Sequence, residues 1–219
     1  MRTPARLRAV LSAVLLVLLL AVAPTAGQPA VLTILHFNDD YQLTAVDGGK
    51  AGGLDRLATA VKRVRGKEQP TLLLFPGDLI SPSVESSVFK GAQLIAGLNL
   101  LGVDAASLGN HEFDYGPAEL IKRINESRFP WVASNTFTPG LRPFPGTRPW
   151  LILSAGGVTI GIIGLLTEET ATSSSPGTTT FGDPVAVAKA IVPILRRDGA
   201  RVIIALTHMR VQDDQELLR

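Results

Sequence analysis

Gly109-Asn110-His111-Glu112-Phe113-Asp114 places an amide, an imidazole and carboxylates within six residues, directly after the apolar run Val103 to Leu108. Those are the groups of proton transfer and of cation binding. Three further apolar runs end on matching chemistry. Val31 to Phe37 leads into Asn38-Asp39-Asp40-Tyr41, Thr71 to Phe75 into Pro76-Gly77-Asp78, and Arg201 to Thr207 into His208. A lone histidine beside a turn has a bland explanation. Strand ends that repeatedly deliver acids, an amide and imidazoles form an oxygen-rich ligand set that suits hard or borderline divalent cations.

The elements that must position these groups follow from periodicity. Apolar runs that end in Gly and then a polar cluster read as strands presenting reactive groups at the carboxyl edge of a sheet. Between them, Gly53 to Lys67 carries Leu54, Leu57, Ala58, Val61 and Val64 on one helical stripe. Val88 to Leu101, Pro117 to Arg128 with Pro in its first turn, and Pro184 to Arg197 read as further helices. Leu151 to Ser154 and Val158 to Leu165, joined through Gly156-Gly157, predict a β-hairpin. Strands alternating with helices, plus a hairpin, predict an α/β sandwich with mixed sheets. Phe137 to Pro149, with four Pro and two Gly, is expected to be a surface loop, and the Thr- and Ser-rich stretch Thr167 to Pro184 is expected to be irregular. His36 falls inside a strand on the face of Leu32 and Ile34 and is expected to be half-buried. Trp131, Trp150 and Phe113 are expected in the core, and Asn135, at another strand end, is a candidate substrate-binding amide.

Taken together, Leu35-His36-Phe37-Asn38-Asp39, Pro76-Gly77-Asp78, Gly109 to Asp114 and Leu206-Thr207-His208-Met209 resemble the calcineurin-like metallophosphoesterases over residues 31 to 219. Within that family the similarity is greatest to the exported 5′-nucleotidase and 2′,3′-cyclic-nucleotide phosphodiesterase branch. The resemblance implies a layered α/β/β/α sandwich and two divalent metal ions, such as Mn, Zn or Fe. In it Asp39 is a ligand of the first ion, Asp78 of both, and Asn110 and His208 of the second. It further implies that His111 is the catalytic imidazole, oriented by Asp114, and that Asn110 and His111 face the substrate. The other use for Asp114 is to cap the helix starting near Pro117, and for His208 to bond backbone at a strand end. The family places Asp-x-His at the first strand end, whereas here the order is Asp39-Asp40-Tyr41. A phenol titrates near 10, so Tyr41 in the metal set implies either a harder ion or a weaker site. Arg219 lies eleven residues beyond His208, before the family's Gly-His-x-His segment. The expectation is therefore a catalytic domain, residues 28–219, truncated at the C-terminus and without a C-terminal nucleotide-binding domain. The implied substrate is a small phosphoester or nucleotide. The alternatives are a non-nucleotide substrate, including thiosulfate-linked chemistry, or an inactive, metal-poor binding scaffold.

Residues 1–27 join a basic start (Arg2, Arg6, Arg8), an uncharged apolar run from Ala9 to Ala23, and the small-residue stretch Pro24 to Gly27. Those are the three parts of a secretory signal peptide, which places the protein in the periplasm or outside the cell and in contact with a membrane only during export. The full chain has 21 Lys and Arg against 19 Asp and Glu, and without the leader the balance is 18 to 19. That near-neutrality argues against binding a nucleic-acid polymer. The short basic cluster Lys62-Arg63-Val64-Arg65 reads as a solvated helix face. With no cysteine, thiolate metal sites are excluded.

Overall fold

The structure is a computed structural model that describes residues 31–219, so the expected leader at 1–27 lies outside the described residues. Two sheets pack face to face between layers of helix. The first sheet contains β1 (Thr33–His36), β2 (Thr71–Phe75), β3 (Ala105–Ser107) and β4 (Trp131–Val132). β5 (Thr136–Thr138) and β6 (Arg142–Pro143) follow in the chain, and β7 (Thr147–Arg148) completes that sheet in the order β1-β2-β3-β4-β7, every neighbour parallel. The second sheet is mixed: β8 (Leu151–Ala155) runs antiparallel to β9 (Val158–Leu166). Beyond β10 (Thr180–Phe181), which pairs with β5, the last strand β11 (Val202–His208) lies parallel to β9.

Alternation along the strands makes the layers. On β2, Leu72 and Leu74 face the second sheet and meet Ile160, Ile162 and Leu206. Leu73 and Phe75 face the other way, onto the helices. Those helices are α1 (Leu54–Arg65), α2 (Val84–Phe89), α3 (Ala92–Leu101) and α4 (Pro117–Glu126), which contribute Leu54, Val61, Leu94, Leu98, Leu120 and Ile124 to the core. A one-turn α5 (Thr170–Ser173) packs by β10, and α6 (Pro184–Arg197) covers the outer face of β9 with Ala188, Ile191 and Leu195. α7 (Val211–Leu217) ends the described chain. This is the expected α/β/β/α sandwich, with one parallel and one mixed sheet. Among the described residues no helix is long and apolar enough to cross a membrane.

Local chemistry explains most boundaries. Asp183 accepts hydrogen bonds from the Val185 and Ala186 backbone at 2.8 and 3.0 Å, capping α6, whose first residue is Pro184. Gly156 and Gly157 both have positive φ, 57° and 74°, as a two-residue type I′ hairpin requires. Arg65 turns back to donate to the carbonyls of Leu101 and Gly102, while Lys62 and Arg63 are exposed, so the basic cluster is a helix face.

Three expectations are corrected. The single helix over 88–101 is two helices, because Lys90 and Gly91 adopt left-handed conformations (φ 51° and 81°). A Cβ on Gly91 would also lie 2.9 Å from the Ile80 Cα, so the close approach selects glycine there. The segment 137–149 is no simple surface loop: it buries Phe144 and feeds β7 into the first sheet. Sheet pairing overrode its Pro and Gly content. His36 is exposed at the edge strand β1 rather than half-buried.

The two sheets touch at backbone level near Gly164. Ser134 N–H donates to the Gly164 carbonyl at 2.8 Å, and Gly164 N–H donates to the Ser134 hydroxyl at 3.0 Å. A Cβ on Gly164 would lie 2.0 Å from the Val132 carbonyl oxygen. Gly164→Ala is therefore expected to lower unfolding free energy by about 2 kcal/mol or more. Urea denaturation checks this, and an unchanged midpoint would show that the sheets separate freely there.

Candidate metal centre and acid–base pair

The site begins with the close approach of two strand ends. A Cβ on Gly77 would lie 2.3 Å from the Gly109 nitrogen, and one on Gly109 would lie 2.1 Å from the Asp78 carboxylate. Only glycine lets the Pro76-Gly77-Asp78 turn and the Gly109-Asn110-His111 turn touch in this way. Glu112 locks the contact. Its fully buried carboxylate accepts hydrogen bonds from the backbone N–H groups of Asp78 (2.8 Å), Leu79 (2.7 Å), Ile80 (3.4 Å) and Gly109 (2.6 Å). Burial, with the charge of Asp78, pushes the Glu112 carboxyl up to about 7, against the pull of those N–H groups.

Asp78 is held at φ 65° and Asp39 at φ 54°, conformations that non-glycine residues adopt at a cost. The result is a convergent cluster. Single ligand atoms of Asp39, Asp78 and His208 lie within 4.8 Å of one another. His208 Nε2 is 3.1 Å from Asp78 Oδ2, and its Nδ1 faces the Pro76 carbonyl at 3.2 Å. A carbonyl on Nδ1 fixes the ring and leaves Nε2 toward the carboxylates, the usual orientation of a metal-binding imidazole. Tyr41 donates its phenol to Asp39 at 2.9 Å and to Asp78 at 3.2 Å. Burial and the charges of Asp78 and Asp39 push the Tyr41 phenol well above its ordinary value, so it acts as a neutral donor that fastens the two acids together. Two carboxylates and an imidazole converging at this spacing fit a divalent cation.

The balance of charge supports the same reading. Burial alone would lower the His208 imidazole, but the hydrogen bond to Asp78 and the charges of Asp78, Glu112 and Asp39 raise it to about 9. Burial works to raise Asp78, yet His208 and the His111 backbone hold its carboxyl below the usual carboxylate range. A proton thus sits where a cation would compensate the same negative charge.

Beside the cluster lies the candidate acid–base pair. His111 Nδ1 is 2.6 Å from Asp114 Oδ2, and its Nε2 is 3.9 Å from Asp78 Oδ2. Burial lowers the His111 imidazole, but Asp114 and Asp78 outweigh it and hold the ring above its ordinary value. Asn110 opens the 3₁₀ turn Asn110–Phe113 and, with His208, lines a cavity of about 310 Å³. On the other side a cavity of about 600 Å³ is lined by Asp39, Asp40, Tyr41 and Arg56.

The structure therefore brings Asp39, Tyr41, Asp78, Asn110, His111, Asp114 and His208 to one place. Asn135 does not join them. It is fully buried, with its amide donating to the Leu166 and Gly182 carbonyls at 2.7 and 2.8 Å and accepting from Leu166 N–H at 3.0 Å, so its hydrogen-bonding groups are engaged by backbone. Trp131 and Phe113 are buried as expected, and Trp150 packs against the α6 layer. Two residues were missed. Glu112 stood in the motif without a role, although an acid three residues after Gly109 is the spacing of a reciprocal cap. Ser174 donates to Asp114 Oδ1 at 2.7 Å, from a segment whose sequence carries no signal for it.

The chain as a whole is similar to several known proteins. The sequence pattern of the family described as calcineurin-like phosphoesterase matches residues 32–218. The 5′-nucleotidase of Bos taurus is 36% identical over 205 residues, covering 87% of this chain and 36% of the relative. Among solved structures, the 5′-nucleotidase precursor from Thermus thermophilus superposes with a TM-score of 0.79 at 31% identity, covering 86% of this chain and 39% of that one. The NAD nucleotidase of Haemophilus influenzae gives 0.77 at 29%, covering 85% and 35%. The chain thus spans little more than a third of the length of these proteins.

Glu112→Gln would set an amide against clustered N–H donors. It is expected to cost about 2–3 kcal/mol of stability and to weaken cation binding at Asp78, read by urea denaturation and by titration calorimetry with Mn²⁺. Unchanged values in both would show that the clamp is dispensable. The raised His208 imidazole keeps a proton that the unfolded chain releases near 6.5, so its contribution is complete below about pH 6.5 and lost as pH rises through about 9. In a chelator, unfolding free energy is expected to fall between those pH values, and to fall less in His208→Ala.

Proposed function

The chain belongs to the calcineurin-like phosphoesterase family, and from that premise we propose that it hydrolyses phosphoester bonds of nucleotides with the help of two divalent cations. The observation that carries the proposal is the convergence of Asp39, Asp78 and His208 on one point, with the His111–Asp114 pair against the same Asp78 carboxylate. Asp39 would serve one ion, Asn110 and His208 the other, and Asp78 both, while the Tyr41 phenol donates to the two carboxylates rather than binding an ion. Bound there, the cations supply Lewis acidity toward the phosphoryl oxygens and lower the pKa of a nearby water toward roughly 7.

The side chains account for the rest of the reaction. His111, held above its ordinary pKa, keeps a proton that Nε2 can pass to the leaving alkoxide as the oxygen of the attacking water bonds to phosphorus and the ester P–O bond breaks. Asp114 accepts from Nδ1, which fixes the ring and stabilises the imidazolium. Asn110 borders the opening beside His208 and offers an amide to a phosphoryl oxygen. Nucleotides are the favoured substrates because the relatives described above are named for 5′-nucleotides and NAD. The leader-like residues 1–27 support export, so the substrate pool lies outside the cytoplasm.

The test is elemental analysis of the processed chain, paired with hydrolysis of AMP and of bis-p-nitrophenyl phosphate in Mn²⁺. Two ions per chain and turnover are expected. His111→Ala should keep both ions and lower the rate by roughly 10²–10⁴. Turnover equal to the parent's would remove His111 from the reaction, and a chain that binds no cation would overturn the reading.

A further inference from the structure

The segment after β9 connects the two halves of the site. At its start, Thr167 N–H donates to the His208 carbonyl at 3.2 Å, tying it to the strand end that carries the imidazole of the cation cluster. Glu169 then pairs with Arg210 at 3.0 Å, two positions beyond His208. Thr170 is fully buried and starts the single turn α5. The turn ends at Ser174, whose hydroxyl donates to Asp114 Oδ1 at 2.7 Å across 60 positions of sequence. The strap is thus anchored to His208 at one end and to Asp114 at the other.

Asp114 can orient His111 only if its carboxylate plane is itself fixed. The side chain is 23% exposed, so solvent alone would let it rotate. Its Oδ2 accepts from His111 Nδ1 at 2.6 Å, and its Oδ1 accepts from Ser174. The two bonds use different oxygens, and together they hold the plane in one orientation. We propose that Ser174 is a positioning residue for the His111–Asp114 pair, acting through Asp114 to hold the His111 ring with its Nδ1–H on Asp114 and its Nε2 toward the cation cluster. Ser174 completes a Ser–Asp–His chain in which each group orients the next, while the strap couples that chain to His208. Loss of the hydroxyl frees one carboxylate oxygen and loosens the ring without removing a cation ligand or a group that touches substrate.

The kinetic arm of the test rests on the hydrolase reading, and the spectroscopic arm does not. Ser174→Ala and Ser174→Thr are compared with the parent chain by ¹⁵N–¹H spectra of the imidazole rings at one fixed pH, and by kcat and KM on bis-p-nitrophenyl phosphate with Mn²⁺. In S174A the Nδ1–H resonance of His111 is expected to shift or broaden by faster exchange. There kcat should fall about tenfold with KM and cation content unchanged. S174T, which restores the donor, should recover both. A His111 resonance identical in S174A and the parent overturns the proposal, as does a loss that S174T fails to rescue. A parent chain without turnover refutes the hydrolase reading instead, and the ring spectrum still decides Ser174.

Discussion

The buried carboxylate of Glu112 is the interaction on which the rest of the site depends. It gathers N–H groups from Asp78, Leu79, Ile80 and Gly109, and so binds the ends of β2 and β3 into one unit. Free N–H groups at a strand end would cost desolvation energy if left dry, and water would hold them apart if left wet. A single anion solves both problems and lets Gly77 and Gly109 approach until no side chain fits between them. Asp78 then has one place to go, with its own carboxylate fixed by the His111 backbone at 2.9 Å.

That arrangement concentrates negative charge. Glu112, Asp78 and Asp39 lie close together, two of them buried, and their repulsion is relieved by the His208 and His111 imidazoles, by the phenol of Tyr41 and by the backbone N–H groups that Glu112 and Asp78 accept from. Such a cluster costs stability on its own account, which is the mark of a site built for something other than folding. The protonated His208 against Asp78 shows how the protein tolerates the charge, and a cation would satisfy it more completely. The same excess of acid raises the affinity of the site for positive ions and the proton occupancy of His111. The proposed cation binding and the proposed acid catalysis would therefore share one electrostatic origin.

The layered fold supplies what the clamp alone does not. Asp39, Asp78, Asn110 and His111 come from consecutive strands of one parallel sheet, but His208 comes from the other sheet. Its position is set by the packing of Leu72 and Leu74 on Ile160, Ile162 and Leu206, and by the backbone stitch between Ser134 and Gly164. Asn135 belongs to this structural work. It bonds the end of β9 and the approach to α6, and so holds the strap that begins at Thr167.

The sequence by itself determined the parts whose causes are local. Strand ends that carry Asp39, Asp78 and the Asn110–His111 pair are visible because apolar runs stop at Gly and polar residues. The Gly156-Gly157 hairpin, the start of α6 at Pro184 and the alternation of strands with helices are legible for the same reason: each depends on residues within a turn or two of one another. The break of the second helix at Lys90 and Gly91 was hidden because it depends on a close approach to Ile80. The tertiary structure alone decided that His208 meets Asp78, that Glu112 serves backbone groups more than thirty positions away, that Asn135 turns inward, and that Ser174 reaches Asp114. Those pairings join segments brought together by sheet packing. Periodicity and turn chemistry report on a residue's neighbours in sequence, whereas a hydrogen bond formed across the sandwich is specified by the core that sets the distance between its layers.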